Sequence, residues 1–367
     1  MKIIILASRA GAFYDQAQGL GKGLEKIGLK AEVYPKAEEN PAIPISSDDV
    51  VIGVGSWRNW PELYQRPRHK TTKILPWLVS DDKVLDYVQE INQLPCLYTT
   101  SRFCQKTFVK WGVKKEIIKI IPEGIDTDFW RPLPQKKLAV LLKDIPLPQL
   151  QNQLVFLTMG GDGTSKGAQE VIESLAKLHL NNFLYLLKIS KTPDGLNNMK
   201  KEISLAEKLG IKDQLHYIIG RFSQEQILAL FNLADVYVAP SRHEGFGLPH
   251  IQAMACEKPV ITCKGTAAEE TSMPGKTGFV VNSETFSWTN ASGYTVNGVR
   301  ANTQELSEAI KKIAFDTSLR KKMGQQARKH IREKYECQKI AEEFLAEIKK
   351  SLYDKTHPIS SKPNFST

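Results

Sequence analysis

Short apolar runs alternate with amphipathic segments along most of this chain. KIIILAS (2–8) is one such run, and in QGLGKGLEKIG (18–28) Leu20, Leu24 and Ile27 then recur at helical spacing before Gly28. AEVYP (31–35), DVVIGVGS (49–56), TKILPWL (72–78), CLYTTS (96–101) and IIKIIPEG (117–124) read as further strands, and FCQKTFVKWG (103–112) as an intervening helix. Residues 131–153 are rich in Pro, Lys and Gln and break the rhythm, as a connection holding one short helix would. The alternation then restarts. Strands are predicted at 154–161, 183–190, 214–220, 236–241 and 259–264, with helices at 168–180, 202–211 and 223–234.

This pattern predicts an α/β protein with two Rossmann-like parallel-sheet domains, followed by C-terminal helices. The first domain spans 1–150 with its linker and the second 151–335. A C-terminal helix at 336–352 could return to the first domain, and 353–367 is expected to be a disordered tail. The length of 367 residues also favours two cores over one.

Composition narrows the function classes. No apolar run reaches the length of a membrane span, and the first apolar run is too short for a signal peptide. The five cysteines lack C-x-x-C spacing and read as reduced, mostly buried thiols, which points to the cytoplasm. The seven histidines show no metal-ligand spacing, so no metal is expected. The formal charge of +10 concentrates in two stretches: 101–150 holds ten Lys/Arg against five Asp/Glu, and 301–350 twelve against eight. Interspersed acids make the second a solvated helix face. The excess leaves an anionic substrate or a peripheral membrane contact open, while no nucleic-acid motif is present.

The most informative segment is VYVAPSRHEGFGLPHIQAMACEKPVIT (236–262). An apolar strand ends at Pro240-Ser241, a loop carries Gly245 and Gly247, and Pro249 stands where a first helical turn would begin. A strand, a glycine-rich loop and a helix N-terminus make an anion site, and Glu244 can accept hydrogen bonds from hydroxyls beside it. A sugar diphosphate matches both halves.

The segment resembles the donor region of the retaining family-4 glycosyltransferases, in which P-S-x-x-E-G-F-G-L-P leads into a helix. The likeness continues in IIPEGIDTDFWRP (120–132), RFSQEQILALFNLA (221–234) and GKTGFVV (275–281). The resemblance implies a GT-B fold with the two domains facing a cleft. It implies transfer of a sugar, a hexose in the usual case, from a UDP-, GDP- or ADP-linked donor to a hydroxyl on a glycan, lipid or protein acceptor, with retained configuration and without a cofactor or metal.

Residue by residue, Glu244 resembles the first Glu of the family's E-x7-E pair, which holds donor-sugar hydroxyls. Lys166 resembles the Lys of its Arg-x4-Lys pair, which neutralises the diphosphate. Gly245, Phe246, Gly247 and Leu248 would present backbone amides to the donor, with Lys188, Arg221 and Gly11 as further donor-side candidates. Trp57, Arg58 and Arg102 are candidate acceptor contacts. Two positions depart from the family: the second Glu is Gln252, and the Arg is Gly161.

Two other readings remain at this point. Gly160-Gly161-Asp162-Gly163-Thr164 matches a motif of the kinases that phosphorylate NAD and diacylglycerol, although Lys166-Gly167 follows the transferase pattern. The departures at Gly161 and Gln252 also fit a catalytically weakened, nucleotide-binding subunit; an epimerase or sugar-phosphate ligase on the same scaffold would differ only in what enters the cleft.

Overall fold

The computed structural model describes residues 2–7, 11–35, 43, 45–46, 49–56, 73–80, 87–150, 152–161, 163–178, 180, 182–289 and 295–353. Trp57, Arg58 and Asp162 lie outside these residues. The chain divides into two compact units, Met1–Thr127 with Lys334–Thr367, and Asp128–Glu333. The division falls at 127/128, so the segment assigned from sequence to the first domain as a linker, 128–150, belongs to the second. Asn232 shows why: its side-chain oxygen accepts from the Leu133 N–H at 2.7 Å, and its Nδ2 donates to the Arg131 carbonyl.

In the first unit, strands β1 (Ile3–Ala7), β2 (Ala31–Tyr34), β3 (Val50–Ser56), β4 (Lys73–Val79), β5 (Leu97–Thr99) and β6 (Ile118–Ile120) form one parallel sheet in the order β2-β1-β3-β4-β5-β6. Helix α1 (Ala12–Lys26) begins earlier than the leucine spacing predicted, and α2 (Arg102–Lys110) is capped by the Ser101 hydroxyl, which accepts from the Cys104 N–H. One sheet face packs on Phe108 and Val113; the other packs on α1 and on the C-terminal helix Cys337–Tyr353, through Ile340, Phe344 and Ile348. The Phe344 ring meets Trp77 edge-on at 4.7 Å. The returning chain is fastened by Lys26, whose ammonium binds Asp126 at 2.6 Å and Glu336 at 2.9 Å. Asp126, Glu336 and Cys337 bring three metal-type ligand atoms within 4.8 Å of one another, but the lysine already meets their carboxylate charge.

The second unit repeats the plan. Strands β7 (Leu154–Met159), β8 (Phe183–Ile189), β9 (Leu215–Ile219), β10 (Val236–Val238), β11 (Val260–Cys263) and β12 (Gly278–Val281) make a parallel sheet ordered β12-β11-β10-β7-β8-β9. Its longer helices are α3 (Gln135–Leu142), α4 (Ala168–Ala176), α5 (Pro193–Lys208), α6 (Gln224–Leu233), α7 (Leu248–Ala255), α8 (Thr303–Phe315) and α9 (Thr317–Lys334). Helix α5 starts at Pro193, well before the predicted 202, because Thr192 caps it by accepting from Gly195 N–H and a proline suits the first turn. The basic helix α9 buries Met323, Ala327 and Ile331 and exposes Lys321, Lys322 and Lys329, as a solvated face would.

The sequence reading contained no counterpart for one element. Strands β13 (Ser283–Thr289) and β14 (Thr295–Ala301) pair antiparallel as a separate two-stranded ribbon.

Candidate active site

The second sheet has one point at which the chain reverses direction of travel. From β7 it steps to β8 and β9, then returns to lay β10, β11 and β12 on the other side, so β7 and β10 are neighbours whose following loops part to opposite sides. Such a switch point opens a crevice at the carboxyl ends of the strands. Thr158 holds the two strands in place at this edge, its hydroxyl bonding to the Val238 carbonyl and to Tyr185 Oη.

The loop after β7 runs through Gly160 and Gly161 to a single 3-10 turn, Thr164–Lys166, and then to Gly167. Gly167 adopts φ +80°, and a Cβ there would lie 2.4 Å from the Pro240 carbonyl oxygen, so only glycine lets this loop seat against the one after β10. Thr164, from the kinase-like motif, turns inward: its hydroxyl donates to the buried Glu202 at 2.7 Å, and Tyr217 donates to the other Glu202 oxygen. The loop after β10 carries Ser241 to Gly247, and Gly247, with φ +100°, sits at the N-cap of α7. Pro249 stands in the first turn of that helix. First-turn amides have no intrahelical acceptor and carry partial positive charge, which suits a phosphate.

These loops bring Lys166 and Glu244 together. Lys166 Nζ lies 2.7 Å from Glu244 Oε2, and both side chains are mostly buried, 18% and 14% exposed. Ser241 Oγ stands 3.4 Å from the same oxygen, and the Glu244 carbonyl accepts from Ala267 N–H at 3.0 Å. Phe246, Leu248 and Gln252 are buried, Gln252 one turn into α7 from Leu248. His250, fully buried on the same helix, bonds through Nε2 to the Ala239 carbonyl at 3.0 Å, and burial lowers its pKa so that it stays neutral.

The remaining candidates scatter. Lys188 is half-buried near the end of β8, and its carbonyl accepts from Gly160 N–H. Arg221 is exposed beyond β9. Gly11 and Arg102 belong to the first unit: Gly11 caps α1 with φ +94°, and Arg102 is the exposed first residue of α2. Gly161 has no atom within 4 Å of where its Cβ would stand, so a side chain can start there without a clash.

Sequence reasoning passed over Arg242 and Glu170. Arg242, 4% exposed, donates to the fully buried Glu170 at 2.8 Å. The signal for the ribbon beside them was available in the period-2 runs TFSWT and TVNGVRA on either side of NASGY.

The second unit, with both loops, coincides with the match to a family model, Glycosyl transferases group 1, over residues 144–330. The chain belongs to the group 1 glycosyl transferases. Among curated relatives of this group 1 chain, the MMP alpha-(1->4)-mannosyltransferase of Mycolicibacterium hassiacum is 24% identical over 71% of this chain and 55% of its own length. The capsular polysaccharide biosynthesis glycosyltransferase CapM of Staphylococcus aureus is 34% identical over 53% of this chain and 46% of its own. The chain thus spans about half the length of the curated relatives it matches. Among solved structures, a glycosyltransferase from Rickettsia africae superposes with TM-score 0.74 at 16% identity, covering 96% of this chain and 99% of that one. Anabaena HepE, solved in complex with UDP and glucose, superposes with TM-score 0.73 at 16% identity, covering 95% and 100%. These likenesses give this group 1 transferase the GT-B fold. Among the described residues no helix is long and apolar enough to cross a membrane.

Proposed function

We propose that this chain is a retaining glycosyltransferase that moves a hexose from a nucleoside diphosphate sugar to a hydroxyl acceptor, without a metal ion. The observation that carries this reading is the Lys166–Glu244 pair, set between two glycine-shaped loops at the switch point of the second sheet. In the transfer, the bond from the sugar's anomeric carbon to the β-phosphate oxygen breaks. The acceptor oxygen bonds that carbon from the same face, and its proton passes to the departing phosphate.

Lys166 supplies a fixed positive charge where the negative charge of the leaving diphosphate grows, and the α7 amides add to it. Glu244 accepts hydrogen bonds from donor-sugar hydroxyls once the diphosphate draws Lys166 away. Gln252 can hydrogen-bond a ribose without contributing charge. The donor-side roles of Lys188, Arg221 and Gly11, and the acceptor roles of Trp57, Arg58 and Arg102, belong to the same reading, as does action at the cytoplasmic side with or without peripheral membrane contact. A nucleotide-binding subunit of reduced activity is the second reading, favoured by the glycine at 161 and the glutamine at 252.

Thermal-shift titration with UDP, GDP and ADP, followed by assay of slow hydrolysis of their sugars, tests both. Stabilisation by at least one diphosphate with turnover is expected. Stabilisation without turnover on a broad acceptor panel selects the subunit, and stabilisation by none of the three diphosphates defeats both readings.

A further inference from the structure

Arg242 stands two residues before Glu244 and ties three pieces of the second unit together. Its Nε and Nη2 donate to Glu170 Oε1 at 3.0 and 2.8 Å, and Nη2 also donates to Gln169 Oε1 at 3.0 Å. Both acceptors lie on α4, the helix into which the Lys166 loop runs. The main chain of Arg242 repeats the connection: its N–H donates to the Ser165 carbonyl at 2.9 Å, and its carbonyl accepts from Val299 N–H, on β14, at 2.7 Å. The guanidinium lies over the Phe286 ring at 4.9 Å and within 5.9 Å of Trp288, both on β13. Arg300 of β14 reaches the same Glu170 oxygen at 3.4 Å and Glu173 at 3.1 Å. A Cβ on Gly298 would fall 2.1 Å from the Arg242 carbonyl, so the ribbon seats directly on the loop. The next side chain along, His243, has its ring 5.4 Å from that of Trp288.

We propose that the β13–β14 ribbon and Arg242 form a clamp that holds the Lys166 loop and the Glu244 loop at their working separation, with Arg242 as the positioning residue. This rests on the donor-site reading above. A buried guanidinium with three donor contacts and an aromatic face on one side has one low-energy placement, which lysine cannot reproduce. The loops on either side of the crevice meet at that placement, so a shift of the ribbon moves the Glu244 loop relative to the Lys166 loop. Phe286 and Trp288 are half-buried and lie outside the buried core cluster of the unit, so replacing their rings leaves the unit folded.

The test uses the full chain, Arg242→Lys and the double variant Phe286→Leu/Trp288→Leu, with UDP-glucose, GDP-mannose and ADP-glucose as donor probes. Both variants are expected to lower kcat for donor hydrolysis about tenfold while changing KM less than about threefold. Hydrogen–deuterium exchange should rise over 160–168 and 241–248, and Trp288→Phe, which keeps a ring, should behave as wild type. Unchanged kcat and exchange in the ribbon variant, or a raised KM at constant kcat, would overturn the clamp. If the wild type hydrolyses none of the three donors, the donor-site reading fails instead, and exchange alone decides the clamp.

Discussion

Lys166 Nζ and Glu244 Oε2 are 2.7 Å apart across 78 residues of sequence, and each neutralises the other in a largely buried position. In the proposed donor site a bound diphosphate competes for the lysine, which would make this structural contact a binding element as well. Lys166→Ala takes this cation away from the largely buried Glu244 carboxylate, at a cost of about 2 kcal/mol, below the ~3–5 of a fully buried pair. It is expected to lower the melting temperature and to abolish stabilisation by nucleoside diphosphates. Glu244→Gln should keep diphosphate binding and lose the added stabilisation that the sugar moiety brings, as paired calorimetric titrations would show.

Gly161→Arg adds a second cation to the loop after β7. A Cβ meets nothing there and the backbone is outside the left-handed region, so the melting temperature should stay within about 2 °C of wild type. Diphosphate affinity should rise about tenfold, or ~1.4 kcal/mol, and fall more steeply with added salt than in the wild type. An affinity that does not respond would place the diphosphate away from this loop.

Gly167→Ala is expected to do the opposite. Its φ of +80° strains any side chain, and the new methyl would press on the Pro240 carbonyl. Destabilisation of roughly 2–4 kcal/mol in urea unfolding, with loss of activity from the displaced Glu244 loop, is the expected outcome.

His250 sets a pH dependence. Burial lowers its pKa in the folded state, so the unfolded chain binds its proton first as pH falls. The stability it confers is complete above the unfolded value near 6.5 and declines as pH drops from there toward the folded pKa. In His250→Leu the Ala239 carbonyl keeps the Ser241 N–H as a donor, so the variant should fold. Its melting temperature should vary less than that of wild type between pH 6.5 and 5, and equal slopes would show that the imidazole does not titrate in this window.

The sequence by itself determined the two parallel-sheet units, because short apolar runs alternating with amphipathic helices leave few other ways to bury both sheet faces. It also determined the loop–helix element at 240–255, where glycines and a proline fix backbone geometry locally. Gly161 was legible as a departure from the arginine of the resembled family. Only the tertiary structure decided that 128–150 packs with the second unit, since that depends on a bond between Leu133 and Asn232, 99 residues apart. Only it showed Thr164 turned inward to Glu202 and not toward a ligand, which no local pattern encodes. Arg242 looked in sequence like any polar loop residue. Its meaning came from Glu170 and Phe286, which lie distant along the chain and meet it only once β7, β10 and the ribbon converge at one edge of the sheet.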